Sequence, residues 1–120
     1  LFLYIHKSLI LISEHLKIDS SKFIISSSID INKSYKAEER VLSICKKLNA
    51  TNYYNPIGGI ELYDKNNFKV NNIELNFLQP NQIQYNQSIK GFIPQLSIVD
   101  VMMFNSVQNI NEMLNKYRLI

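Results

Sequence analysis

The sequence predicts an α/β fold, a small three-layer domain with a parallel sheet of about three strands and flanking helices. Apolar residues recur at helical spacing in several stretches, and short apolar or alternating runs lie between them. The two kinds of segment alternate along the chain. Strands separated by helical crossovers pair in parallel, with the helices packed on the sheet. The 120 residues are enough for a single α/β domain with a core of its own.

The first helix is expected over Leu3–Leu16, because Ile5, Leu9, Ile12 and Leu16 share one helical face. Asp19-Ser20-Ser21 break that pattern. Phe23-Ile24-Ile25 then reads as a short buried strand, closed by Ser26-Ser27-Ser28. Ser34 suits the N-cap of a second helix whose buried stripe is Ala37, Val41, Ile44 or Cys45, and Leu48. Glu38 and Glu39 near its start and Lys46-Lys47 near its end complement the helix dipole. Asn49 is placed for a left-handed C-cap, where glycine is commoner.

Thr51–Tyr54 reads as the second strand, running into Asn55-Pro56-Ile57-Gly58-Gly59. Pro56 has no N–H to pair, and the glycines permit a tight turn and close approach of another group. A short helix starting at Asp64 carries Phe68, and Asn71-Asn72 turn the chain into a third strand, Ile73–Leu78. Ile83–Gln87 is ambiguous, and Gly91 and Pro94 mark loop. Ser97 caps a third full helix, with Leu96 and Val101 as a hydrophobic staple and Asp100 where a capping carboxylate reaches back. A last helix, Ser106–Tyr117, presents Val107, Ile110, Leu114 and Tyr117 on one face.

Composition narrows the function classes. Net charge is +3, but the basic residues are dispersed, with Lys46-Lys47 the only adjacent Lys/Arg pair. A nucleic-acid footprint needs clustering, so no nucleic-acid partner is expected. The lone Cys45 forms no internal disulfide and fits a cytoplasmic location. Leu1–Ile12 is too short and too interrupted by polar residues to span a bilayer. His6 and His15, nine apart on a helix, face opposite ways, so no metal site is expected. Cys45 lies in an apolar stripe and reads as core rather than nucleophile.

Ligands of open α/β sheets bind beyond the carboxyl ends of the strands. Those ends carry Ser26-Ser27-Ser28, Asn55 to Gly59, and Gln79-Pro80-Asn81-Gln82, all polar and uncharged. Ser27, Ser28, Asn55, Gly58, Gly59 and Tyr63 are therefore the expected ligand contacts, against the plain alternative that loops are polar anyway. Tyr85, Gln87, Ser97 and Asp100 form a second set. Tyr63, Tyr85 and Gln87 could line a pocket for a polyhydroxylated ligand, because aromatic faces stack on sugars and amides bond hydroxyls; core packing is the alternative. For Ser97 and Asp100 helix capping is the better explanation. Neither the dinucleotide nor the P-loop fingerprint is present. No Ser/His/Asp set or carboxylate pair emerges from spacing, and no cofactor is indicated.

The ordered series Asn55-Pro56-Ile57-Gly58-Gly59, Leu62-Tyr63-Asp64, Phe68, Tyr85-Asn86-Gln87, Phe92-Ile93-Pro94 and Leu96-Ser97-Ile98-Val99-Asp100 with Phe104-Asn105 resembles the WbqC-like protein family. Ser26-Ser27-Ser28, Arg40-Val41-Leu42 with Ile44-Cys45-Lys46, and Ala50-Thr51-Asn52-Tyr53 follow the same pattern. The resemblance implies a bacterial role in O-antigen or other surface-polysaccharide biosynthesis, with a small-molecule or sugar-linked substrate. It implies a glycine (aminoacyl) transferase acting on a sugar, or a non-catalytic module working with a pathway enzyme. A nucleotidyltransferase-like activity is a further reading by analogy alone. The family opens with a strand, a His-Gln-Pro-Asn-Tyr type segment and an aspartate-bearing strand, which this sequence lacks. The chain, which starts at Leu1, is therefore expected to be the C-terminal portion of a longer protein.

Overall fold

The chain forms five helices and a three-stranded sheet in a computed structural model that describes residues 1–88 and 91–120. The elements are α1 (Phe2–His15), α2 (Ala37–Lys47), β1 (Asn52–Pro56), α3 (Lys65–Val70), β2 (Glu74–Pro80), α4 (Ile98–Phe104), α5 (Val107–Leu114) and β3 (Tyr117–Leu119). Three short 3-10 turns, Ser20–Lys22, Ser26–Ser28 and Ile57–Gly59, join them. The fold is of the α/β class. The chain divides into two compact units: Ile24–Pro80 with Tyr117–Ile120, and Leu1–Phe23 with Asn81–Lys116.

The first unit holds the sheet. β2 is central, parallel to β1 and antiparallel to β3. Side chains alternate across a strand, so Leu75 and Phe77 of β2 and Tyr53 of β1 share one face. That face meets α2 and α3. Leu42 and Cys45 of α2, Phe68 of α3, and Ile73, Leu75 and Phe77 form the buried cluster, with Tyr53, Ile57 and Tyr63 against it. Phe68 is completely buried. Its ring stacks on Tyr53 at 5.5 Å between centroids and meets the edge of Tyr63 at 6.0 Å.

Two strand expectations are corrected. Phe23–Ile25 is not a strand: it bridges two 3-10 turns, and its side chains are exposed. The reason is local competition, since short polar side chains next to it bond the nearby backbone. Asp19 accepts from the N–H and hydroxyl of Ser21, and the Ser28 hydroxyl donates to the Ile25 carbonyl. The remaining strand lies instead at Tyr117–Leu119, and it makes the sheet mixed rather than wholly parallel. Tyr117 continues the helical spacing of Val107, Ile110 and Leu114, yet α5 stops at Leu114. Phe77 then exchanges both backbone bonds with Ile120, each 2.9 Å.

Helix starts also differ. α2 begins at Ala37 without a side-chain cap, because Ser34 is held by Asn32, whose side-chain oxygen accepts from the Ser34 N–H and hydroxyl. The Asp64 side chain caps α3 by accepting from the Asn66 N–H. Glu38 of α2 completes that start. It accepts from the Asp64 N–H at 2.6 Å, a backbone donor that a helix N-terminus leaves unpaired, and from the Asn67 side-chain amide.

The second unit is helical. Ser13 of α1 and Leu16, just past its end, are buried, but Ile5 and Leu9 of the expected buried stripe are about half exposed. The α4 cap is Ser97, which accepts from the Val99 N–H, and the α5 cap is Ser106, which accepts from the Asn109 N–H. Ile110 of α5 is buried.

Candidate functional site

The carboxyl end of β1 runs straight into the turn Ile57–Gly59. Strand alternation points Tyr53 and Asn55 to the same face. The Asn55 amide donates to the Tyr53 hydroxyl at 2.8 Å. Gly59 is buried, and a Cβ there would collide with the Asn55 side-chain oxygen and stand 3.3 Å from the Tyr63 ring. Gly59 thus admits a close approach, and the approaching group is the chain's own Asn55. Tyr63 sits beside it, edge-on to Tyr53 at 5.9 Å. Burial raises the Tyr53 hydroxyl above its ordinary pKa, with Asn55 opposing and Tyr63 adding. It therefore stays protonated. Gly58 differs from Gly59: it is exposed, with open space where a side chain would stand.

The structure brings Asn55, Gly59 and Tyr63 together, with Gly58 at the outer rim of the turn. Ser27 and Ser28 lie elsewhere in the sheet unit, on an exposed turn that follows no strand. Among the described residues no hydrogen bond joins them to the β1 loop.

The second expected set belongs to the helical unit. Gln87 is buried, and its amide donates to the Ile93 carbonyl at 3.0 Å, to Asp100 at 3.0 Å and to the Tyr85 oxygen at 3.3 Å. Its carbonyl oxygen accepts from the Ile93 N–H. The Tyr85 hydroxyl donates to Asp100 at 2.5 Å, and its ring meets Phe92 edge-on. The bond to Asp100, then burial, raises the Tyr85 pKa, with Gln87 opposing. Tyr85, Gln87 and Asp100 therefore form one network that ties the loop to α4. This corrects the capping reading of Asp100. Ser97 does cap the helix, but the Asp100 carboxylate turns to Tyr85 and Gln87 rather than back to the helix start. Spacing could not reveal those partners, which lie 15 and 13 residues away.

Two surface grooves lie apart from both sets. One, about 480 Å³, belongs to the sheet unit and is lined by Thr51, Lys65, Lys69, Asn72 and Ile73 to Asn76. The other, about 460 Å³, runs along α5 and is lined by Lys17, Val107, Gln108, Asn111, Glu112 and Asn115. Neither includes an expected site residue. The polar repeat on α5 was visible in the sequence as positions three and four apart; the first groove needed the strand pairing.

Among the described residues no group of three His, Cys, Asp or Glu side chains could hold a metal ion. Cys45 is buried, which raises its thiol pKa and keeps it in the protonated, unreactive form. No helix among the described residues is long and apolar enough to cross a membrane.

A mixed sheet with helices on one face and a Pro/Gly turn closing its first parallel strand defines a small α/β protein. The chain belongs to the WbqC-like protein family, whose model matches residues 1–112 of the 120. No curated protein and no solved structure matches the chain.

Proposed function

We propose that this chain supplies a binding surface for a sugar-linked or other small-molecule substrate in bacterial surface-polysaccharide biosynthesis, O-antigen included, with the β1 loop as its contact. Membership of the WbqC-like family over residues 1–112 is the observation that carries the reading. The exposed Gly58 backbone supports it locally, since no side chain hinders a ligand from approaching that turn. The reaction proposed is transfer of an acyl or aminoacyl group such as glycine. A sugar hydroxyl or amine attacks the carbonyl carbon, the donor's leaving group departs with the bonding pair, and the attacking atom loses its proton. The setting is the cytoplasm, where an unpaired cysteine stays reduced.

A non-catalytic module that works beside a pathway enzyme is the second reading. It is favoured by the internal use of the side chains at both expected sets: Asn55 is spent on Tyr53, and Asp100 on Tyr85 and Gln87.

Gly58→Val in the full-length protein tests the loop by calorimetry against an activated donor or nucleotide sugar. Binding is expected to be lost with the fold intact, and an unchanged affinity removes the loop from the site. Donor turnover followed by mass spectrometry supports the transferase, whereas co-purification with a pathway enzyme without turnover supports the module.

A further inference from the structure

The groove of about 480 Å³ in the sheet unit has the volume of a small-ligand site and touches neither expected set of contacts. Lys65 and Lys69 of α3 line it beside Ile73 and Leu75, which are buried where the chain enters β2. The two lysines stand four residues apart and share one face of α3, and like charges at that spacing repel. Lys65 is also the first residue of α3, where the helix dipole disfavours a cation, whereas Lys69 in the last turn suits it. The Lys65 ammonium lies 5.9 Å from the centre of the Phe77 ring, a cation–π contact that keeps it over β2. Among the described residues neither lysine is in an ion pair. Glu74 is the one carboxylate among the described lining residues. Strand alternation turns it to the sheet face opposite Leu75 and Phe77, where it accepts from the Asn52 amide at 2.9 Å.

We propose that this groove binds a small molecule carrying a phosphate group, with Lys65 and Lys69 as its charge partners. A doubly charged phosphate between two ammonium groups offsets their mutual repulsion, and lysine serves phosphate as a point charge. A singly charged carboxylate matches only one of the two. Thr51, Asn72 and Asn76 add a hydroxyl and two amides to the lining, groups that donate to the remaining phosphate oxygens. A bare phosphate fills only a small part of about 480 Å³, so the groove has room for the body of an ester, with Ile73 and Leu75 as its apolar contact. Thr51 directly precedes β1 and Ile73 directly precedes β2, so the groove lies at the amino ends of the parallel pair. The Gly58 turn follows the carboxyl end of β1, and the two sites are therefore separate.

Titration with inorganic phosphate and with glycerol 3-phosphate, followed by NMR, tests the groove. Low salt limits screening, and at about pH 8 both probes are largely doubly charged. Each is expected to give saturable shifts of the Lys69, Asn72 and Leu75 amides at about 1–10 mM, with glycerol 3-phosphate the tighter. Acetate, with one charge, should bind more weakly than either. Lys65→Gln and Lys69→Gln should each weaken phosphate binding about fivefold, the scale of one exposed ion pair. Lys65→Arg and Lys69→Arg should retain it, because the charge remains. Both lysines are exposed, so the variants are expected to melt as the parent does. Absence of saturable shifts with both phosphates overturns the proposal, as do shifts confined to amides outside the groove. So does an affinity that both glutamine variants leave unchanged. Acetate binding as tightly as phosphate overturns the choice of a doubly charged group, and tighter binding of the bare ion overturns the ester.

Discussion

At Gly59 the need for glycine comes from inside the chain, because the Asn55 side chain occupies the space a Cβ would take. Gly58, one residue earlier, has no such neighbour. Gly59→Ala should therefore force Asn55 away from Tyr53 and cost about 1–3 kcal/mol, the range for overpacking and for a lost buried hydrogen bond. Gly58→Ala should be neutral within about 0.5 kcal/mol. Urea unfolding of the two variants checks this, and equal midpoints would show that Asn55 moves freely. Tyr85 gives a prediction in pH. Its raised pKa means that the folded chain holds this proton more tightly than the unfolded chain does. The stabilisation is therefore full below pH 10, the ordinary tyrosine value, and is lost as pH rises through the raised value. Melting of the parent and of Tyr85→Phe between pH 8 and about 11 should show the parent's advantage shrinking at the alkaline end. A constant gap between them would mean that the hydroxyl does not titrate late. These residue roles were only half legible in sequence. The Pro/Gly turn was plain, and so was Ser97 as a cap. The Gln87–Asp100 bond was not, since it joins residues thirteen apart across an irregular loop.

Helix endings carry a shared device that sequence showed at only one place. After α1, α2 and α3 the chain turns through Lys17, Asn49 and Asn72, with φ of 60°, 53° and 58°. Each turn is closed by the same bond pair. Lys17, Asn49 and Asn72 donate to the carbonyls of Glu14, Lys46 and Lys69, and the residues after them donate to Ser13, Cys45 and Phe68. This is the Schellman arrangement, which satisfies carbonyls that a helix end leaves open and normally uses glycine. Asparagine tolerates the left-handed region, but lysine does so at a cost of about 1 kcal/mol or more. Lys17→Gly should therefore stabilise by about 0.5–1 kcal/mol after the added flexibility of the unfolded chain is subtracted, and Asn49→Gly and Asn72→Gly by a few tenths. Thermal melts rank the three, and a destabilising Lys17→Gly would mean that the lysine side chain matters more than its backbone. The expected left-handed cap at Asn49 is what the structure shows. Lys17 gave no comparable signal, because its residue type does not favour that conformation. The Glu38 contacts to the start of α3 were equally hidden, since the two ends lie 26 residues apart in sequence.

The helices α2 and α3 and the strands β1 and β2, the alternating core positions of β2, and the caps at Asp64, Ser97 and Ser106 follow local rules of period and hydrogen bonding, or nearly so, whereas the stripe expected on α2 is corrected: Cys45 is buried, but Ala37 and Leu48 are exposed and Leu42 is buried instead. The closing strand does not follow such rules. β3 is three residues long and is defined by pairing with β2 almost forty positions earlier, including an Arg118 bond to Gln79 at 2.7 Å. Removing Tyr117–Ile120 should leave the Phe77 N–H without its partner and speed its hydrogen exchange at least about tenfold, as loss of roughly one to two hydrogen bonds implies. Unchanged Phe77 protection would show that β1 and β2 stand without β3. Three residues are too few for an alternating pattern to stand out from the helical spacing of α5, so no local reading finds them. The same limit applies to function. Sequence established the α/β class, the Pro/Gly turn and the family series, because each is written in consecutive residues. Tertiary structure revealed that Gly59 makes room for Asn55, that Asp100 serves Tyr85 and Gln87, and that Lys65 and Lys69 line one groove with Thr51 and the start of β2, because each depends on which strand or loop arrives beside it.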